Sequence, residues 1–124
     1  MKKVIVKRKK KFSGALVPYW VIVGTSKDVF SKRYDFDGDI CKMHPNGFPI
    51  SRIEVSELDR IGTRIDNGQT LEIAIADDVT NLFVSTMDGS LSNEIDIGEY
   101  ITAEKNIIIN TKGGFRTIPY PVIE

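Results

Sequence analysis

Reactive side chains are scarce in this chain. Among 124 residues there is one cysteine, Cys41, and one histidine, His44. A lone cysteine excludes an intramolecular disulfide framework and fits a reducing compartment, although a short secreted domain without disulfides stays open. Cys41 and His44 form a C-x-x-H pair, but a structural zinc site takes four protein ligands and there is no second cysteine or histidine. The reading is a buried thiol beside a loop histidine, with no metal. A Ser-His-Asp or Cys-His arrangement would have to use His44, which sits in the loop-forming run His44–Pro49 (HPNGFP), with Cys41 too close along the chain to be its partner nucleophile. Lys112-Gly113-Gly114 lacks the spacing and strand-to-helix context of a phosphate-binding loop. No cofactor is expected.

Long apolar runs are missing as well. Val4-Ile5-Val6 is only three residues long, too short for the core of a secretory signal, and no segment approaches a membrane span. A cytoplasmic domain is the expectation. Apolar content of 41% and charged content of 27% are ordinary for a globular protein and argue against wholesale disorder.

What is abundant is β rhythm. Asp37-Gly38, Asn46-Gly47, Asn67-Gly68 and Asp88-Gly89 interrupt apolar or alternating segments, and such pairs favour hairpin turns. Val4–Val6 opens a strand that runs into Lys7–Lys11. Val17–Val23 reads as a second strand, and its Trp20-Val21-Ile22-Val23 run predicts cover on both faces. Thr25 or Ser26 caps a short helix through Arg33, anchored by Val29 and Phe30. A small hairpin flanks Asp37-Gly38, Ile50–Val55 reads as a strand and Ser56–Asp59 as a turn. Ile61–Asp66 and Gln69–Ala76 read as a hairpin about Asn67-Gly68, with Leu71, Ile73 and Ile75 on one face. Asn81–Thr86, Glu94–Ile97 and Glu104–Thr111 follow. Pro119 and Pro121 put the last segment, Phe115–Ile123, at an edge or beyond the sheet. The expected fold is an all-β single domain over residues 1–124: an antiparallel β-sandwich, immunoglobulin-like or related, of eight or nine short strands and one short helix. A partly open β-barrel is the alternative.

Charge is unevenly distributed. Lys2, Lys3, Lys7, Arg8, Lys9, Lys10 and Lys11 supply seven of the 17 basic residues within the first 12 positions, with no acid among them; ten bases then face 17 acids over residues 13–124. Extended, Lys7, Lys9 and Lys11 would lie on one face and Arg8 and Lys10 on the other, with same-face neighbours about 7 Å apart. Such a row suits a phosphate backbone, with Phe12, Tyr19 and Trp20 near in sequence, although these aromatics are also natural core. The competing reading is lysines that guard a sheet edge or solvate an overrunning strand. Asp35, Asp37 and Asp39 alternate as in a calcium loop, but Gly38 precedes Asp39 and Asn46 stands where the twelfth-position glutamate belongs, so a solvated acidic turn is expected. Within Ser85–Asn93, the polar residues Thr86, Asp88, Ser90, Ser92 and Asn93 suit a recognition loop or a plain hairpin connection.

Lys9–Val23 (KKKFSGALVPYWVIV), Arg64–Ile75 (RIDNGQTLEIAI) and Leu91–Ile97 (LSNEIDI), about half the chain, follow a familiar order of motifs. In that order the chain resembles small β-sandwich modules of Gram-positive bacteria, the PEGA-like and carbohydrate-binding-like domains. In that alignment residues 24–50 form a helix-plus-hairpin insertion. The resemblance implies a non-catalytic structural or interaction module and carries no functional residue across. The expected role is therefore binding, to another protein or to a second copy of the chain, through an edge strand or an exposed loop. Nucleic-acid or anion binding through Lys7–Lys11 comes second, and a small hydrolase using paired carboxylates third.

Overall fold

The computed structural model describes residues 2–10, 18–34, 36–37, 40–41, 53–86, 91–98, 106–112 and 118–123. The chain is mostly β. Its strands are β1 (Lys2–Arg8), β2 (Tyr19–Val23), β3 (Phe36–Asp37), β4 (Ile40–Cys41), β5 (Thr63–Ile65), β6 (Thr70–Ile75), β7 (Asn81–Thr86), β8 (Ile95–Asp96), β9 (Ile107–Lys112) and β10 (Ile118–Ile123). The helices are α1 (Lys27–Arg33) and α2 (Val55–Ile61). One four-stranded sheet runs β10-β9-β1-β6 and a second runs β5-β2-β7-β8, with β3 and β4 a separate hairpin. No closed barrel forms among the described residues.

Alternation assembles the core. On β1, Val4 and Val6 are fully buried, and they meet Ile73 and Ile75 of β6 and Ile107 and Ile109 of β9. In the same cluster lie Tyr19 and Val21 of β2, Ile65 of β5, and Leu82 and Val84 of β7, so both sheets contribute to one apolar interior. The opposite face of the second sheet supplies Trp20, Ile22 and Phe83 to another cluster with Phe30 of α1 and Leu58 of α2. The β2 strand is thus covered on both faces, as its unbroken β-formers predict. Burial of such side chains contributes about 1.5–3 kcal/mol each.

The first helix starts where expected. The Ser26 hydroxyl accepts the Val29 N–H at 3.2 Å, Asp28 lies in the first turn, and Lys32 and Arg33 lie in the last. Phe30 is its anchor, edge-on to Phe83 with ring centroids 5.1 Å apart. Val29 is not an anchor; it is 57% exposed.

Five features depart from the sequence expectation. The turn read over Ser56–Asp59 is instead part of α2, which turns Leu58 inward from a helix. Of the strand read over Ile50–Val55, Val55 opens that helix, Ile53 and Glu54 precede it outside any strand, and residues 50–52 lie outside the described residues. With α2 there are two helices rather than one, and ten strands among the described residues. The small hairpin pairs Phe36 with Cys41 and Asp37 with Ile40, which shifts it one residue from the Asp37-Gly38 turn. Asn67-Gly68 does form a turn: Gly68 has φ +75° and the Gln69 N–H bonds to the Asp66 carbonyl at 3.0 Å. Yet β5 before it pairs with β2 while β6 after it pairs with β1, so this turn carries the chain from one sheet to the other. Finally, the first sheet is mixed, because β1 runs parallel to β9. That pairing puts the basic strand in the interior of its sheet, between β9 and β6, not at an edge.

Candidate binding surfaces

The basic run divides according to which face each residue takes. Arg8 points inward with Val4 and Val6 and is 4% exposed. Its guanidinium lies 3.7 Å from the centre of the Tyr19 ring, and its Nη1 donates to the Ile65 carbonyl at 3.0 Å. Arg8 therefore links β1 to β2 and β5 of the other sheet. Burial pushes its pKa down, while the neighbouring Tyr19 and Asp66 oppose that shift. Lys7 and Lys9, together with Lys3, are exposed and share the outer face of β1 with half-buried Ile5. Lys10 is exposed near the Gly68 turn. Lys11 lies outside the described residues.

The residues expected in a recognition loop are largely interior. Thr86 is 1% exposed and Ser92 fully buried. The Ser92 hydroxyl accepts the Val84 N–H at 2.7 Å and donates to the Asn93 carbonyl at 2.8 Å, while the Ser92 N–H bonds to the Val84 carbonyl at 2.8 Å. Asn93 is half-buried and donates from Nδ2 to the Pro121 carbonyl at 3.3 Å. The Ser92 and Asn93 side chains fasten the segment after β7, and Thr86 is buried at the end of that strand; Asp88 and Ser90 lie outside the described residues.

An open cleft of about 300 Å³ is lined by Thr80, Asn81, Glu94, Ile95 and Asp96. Its two carboxylates are engaged locally. Glu94 Oε2 accepts the Lys27 N–H at 2.7 Å and Asn81 Nδ2 at 3.1 Å, and Asp96 Oδ1 accepts the Gly98 N–H at 2.8 Å. A second group of charged side chains joins the two helices. Glu57 of α2 accepts the Tyr34 hydroxyl at 2.7 Å and Arg60 Nε at 3.0 Å, and it also pairs with Arg60 Nη2. The Arg60 and Tyr34 bonds hold the Glu57 carboxyl down at about 2. Partial burial and the bond to Glu57 push the Tyr34 phenol up. A general acid needs a raised carboxyl pKa, so this cluster is suited to clamping α1 to α2 rather than to proton donation. Asp59 of the same helix accepts the Trp20 indole N–H at 2.9 Å and fastens α2 to β2.

The chain matches no protein-family model, no curated protein and no solved structure. Among the described residues no group of three or more His, Cys, Asp or Glu side chains is placed to hold a metal ion, and no helix is long and apolar enough to cross a membrane. His44, Asp35 and Asp39 lie outside the described residues.

Among the described residues the four edges of the two larger sheets differ sharply. In the second sheet β5 has three residues and β8 only two. In the first sheet the β10 edge carries Pro119 and Pro121. These pair with Thr111 and Ile109. The Ile109 carbonyl accepts the Lys9 N–H at 3.1 Å, so its polar groups face β1, and the two prolines face away from the sheet, where they remove two donors. Across the sheet, β6 has six residues and no proline. The Arg8 N–H bonds to the Gln69 carbonyl at 3.0 Å, and the register alternates from there. Leu71, Ile73 and Ile75 therefore bond to β1, and Thr70, Glu72 and Ala74 turn their N–H and C=O groups outward. Nothing in composition marked this edge, because the alternating pattern of Gln69–Ala76 is the same for an edge strand and a central one.

Proposed function

We propose that this domain is a non-catalytic binding module, built as a β-sandwich, that self-associates by pairing β6 with β6 of a second copy. The observation that carries the reading is the contrast between the described edges of the two four-stranded sheets: two are very short, one loses two donors to proline, and β6 offers a long alternating row of donors and acceptors. Such an edge templates strand addition. An antiparallel register with Ile73 on the two-fold axis opposes Glu72 to Ala74 of the second copy, so no like charges meet across the ladder. The register also covers Leu71, a partly buried residue packed against the core. The resemblance to PEGA-like modules and the cytoplasmic assignment belong to the same reading, the latter resting on the single cysteine.

Light scattering of size-exclusion peaks at rising concentration tests it. The expected result is a monomer–dimer equilibrium that Glu72→Pro shifts to monomer, because the Glu72 N–H faces outward and is not used by β1. Ala74→Glu, which leaves the backbone unchanged and sets a second glutamate opposite Glu72 of the other copy, is expected to act in the same direction. A protein that stays monomeric up to its solubility limit overturns the proposal, as does a dimer indifferent to both substitutions.

A further inference from the structure

The outer face of the first sheet is a surface independent of the β6 edge. Register fixes its membership. Lys7 lies beside Ile108, and Ile108 beside Val122. Side chains two residues away along each strand share that face, which adds Lys3, Ile5, Lys9, Asn110 and Tyr120. Both described helices pack on the other sheet, and they carry Asp28, Glu54, Glu57 and Asp59. The described charges on the β1–β6 side are Lys3, Lys7 and Lys9 against Glu72 alone. Among the described residues this face is therefore locally basic, and a polyanion approaching it meets a positive field. Because β1 is interior, edge protection does not explain the lysines.

We propose that this face binds single-stranded nucleic acid. Lys7 and Lys9 stand about 7 Å apart along β1 and Lys3 about twice that from Lys7, a row that tracks a phosphodiester chain. Tyr120 lies two strands away, about 10 Å to the side, with Ile5 and Val122 half-buried on the same face. Phosphates follow the lysine strand while bases turn towards β10, where the tyrosine ring and aliphatic side chains give a stacking platform. A duplex, with its bases already stacked, gains nothing from Tyr120.

Fluorescence anisotropy with labelled oligothymidylate of about 12 nucleotides, over a salt series, tests this. Three phosphates neutralised on a single strand give a log–log salt slope of about −2. Lys7→Gln/Lys9→Gln is expected to flatten the slope to about −0.7, since one contact remains. Tyr120→Leu keeps apolar cover and is expected to weaken binding roughly five-fold or more at unchanged slope. Absence of binding at about 50 mM salt overturns the proposal, as does binding that survives the double lysine variant. Phosphatidylserine vesicles that bind while oligothymidylate does not would assign the face to a membrane surface and overturn it too. Repeating the titration with unaltered protein at concentrations below and above the dimerisation midpoint separates this face from the dimer edge: equal affinity in both supports an independent site, and binding by the dimer alone refutes it.

Discussion

Replacing Arg8 by alanine separates this buried cation of the basic run from the exposed Lys7 and Lys9 beside it. The guanidinium is nearly inaccessible, donates to Ile65 at 3.0 Å and stacks 3.7 Å from the Tyr19 ring. Removing it leaves the Ile65 carbonyl without this donor in a low-dielectric interior, which costs about 1–3 kcal/mol. A desolvated cation–π contact adds about 2 kcal/mol. Against these stands the relief of the guanidinium desolvation that depresses the Arg8 pKa. The net expectation for Arg8→Ala is a loss of about 2–4 kcal/mol, while Lys7→Ala and Lys9→Ala, on the exposed face, stay within about 0.5 kcal/mol. With a urea m-value of about 2 kcal/mol/M, the Arg8→Ala midpoint falls by about 1–2 M. Urea titration followed by Trp20 fluorescence reads this directly. A midpoint within about 0.3 M of the parent, or lysine variants that cost as much as Arg8→Ala, would refute the bridging role.

Gly62 and Glu57 offer two further checks. A Cβ at Gly62 would stand 2.6 Å from Ile22 Cδ1 and 3.0 Å from the Val21 carbonyl, so Gly62→Ala is expected to cost about 1–3 kcal/mol by overpacking, read as a lowered thermal midpoint. The Glu57 carboxyl, lowered from 4.5 to about 2, contributes stability that is fully present above pH 4.5 and is lost as pH falls towards 2. Solvent screening limits its size, because the side chain is 31% exposed. Glu57→Gln is therefore expected to be less stable than the parent above pH 4.5, with the gap closing on acidification; urea midpoints across that range measure it, and a gap that widens in acid contradicts the clamp.

Elements whose cause is local could be read from sequence, and those set by pairing between distant segments could not. Asn81–Thr86 matches β7 residue for residue, Ser26 caps α1, and the prolines of β10 lie at an edge, each because a nearby side chain dictates the backbone. The α2 helix was missed because its cues are weak: it has seven residues, one buried side chain, and an N-cap glutamate that makes no capping bond. Asn67-Gly68 encodes a tight turn, but turn chemistry does not say which sheet receives the next strand. The position of β1 was beyond reach for the same reason, since its neighbours come from 70–75 and 107–109 and a lysine-rich strand reads most naturally as an edge. For the binding surfaces, the lysine row was visible but not the inward turn of Arg8. Ser92 looked like a loop residue because its polarity gave no hint of the backbone N–H it satisfies.

The interior position of β1 has a consequence for how the domain is made. Val6 waits for Leu71 on one side and for Ile107 on the other, so the middle of the first sheet is synthesised long before either neighbour exists. A naked strand emerging from a ribosome is an invitation to mispairing. Lys2, Lys3 and Lys7 within it, and Lys9 and Lys10 just after it, put repulsion beside the valines that later fill the core, and so keep the nascent segment apart from its own copies until the partner strands arrive.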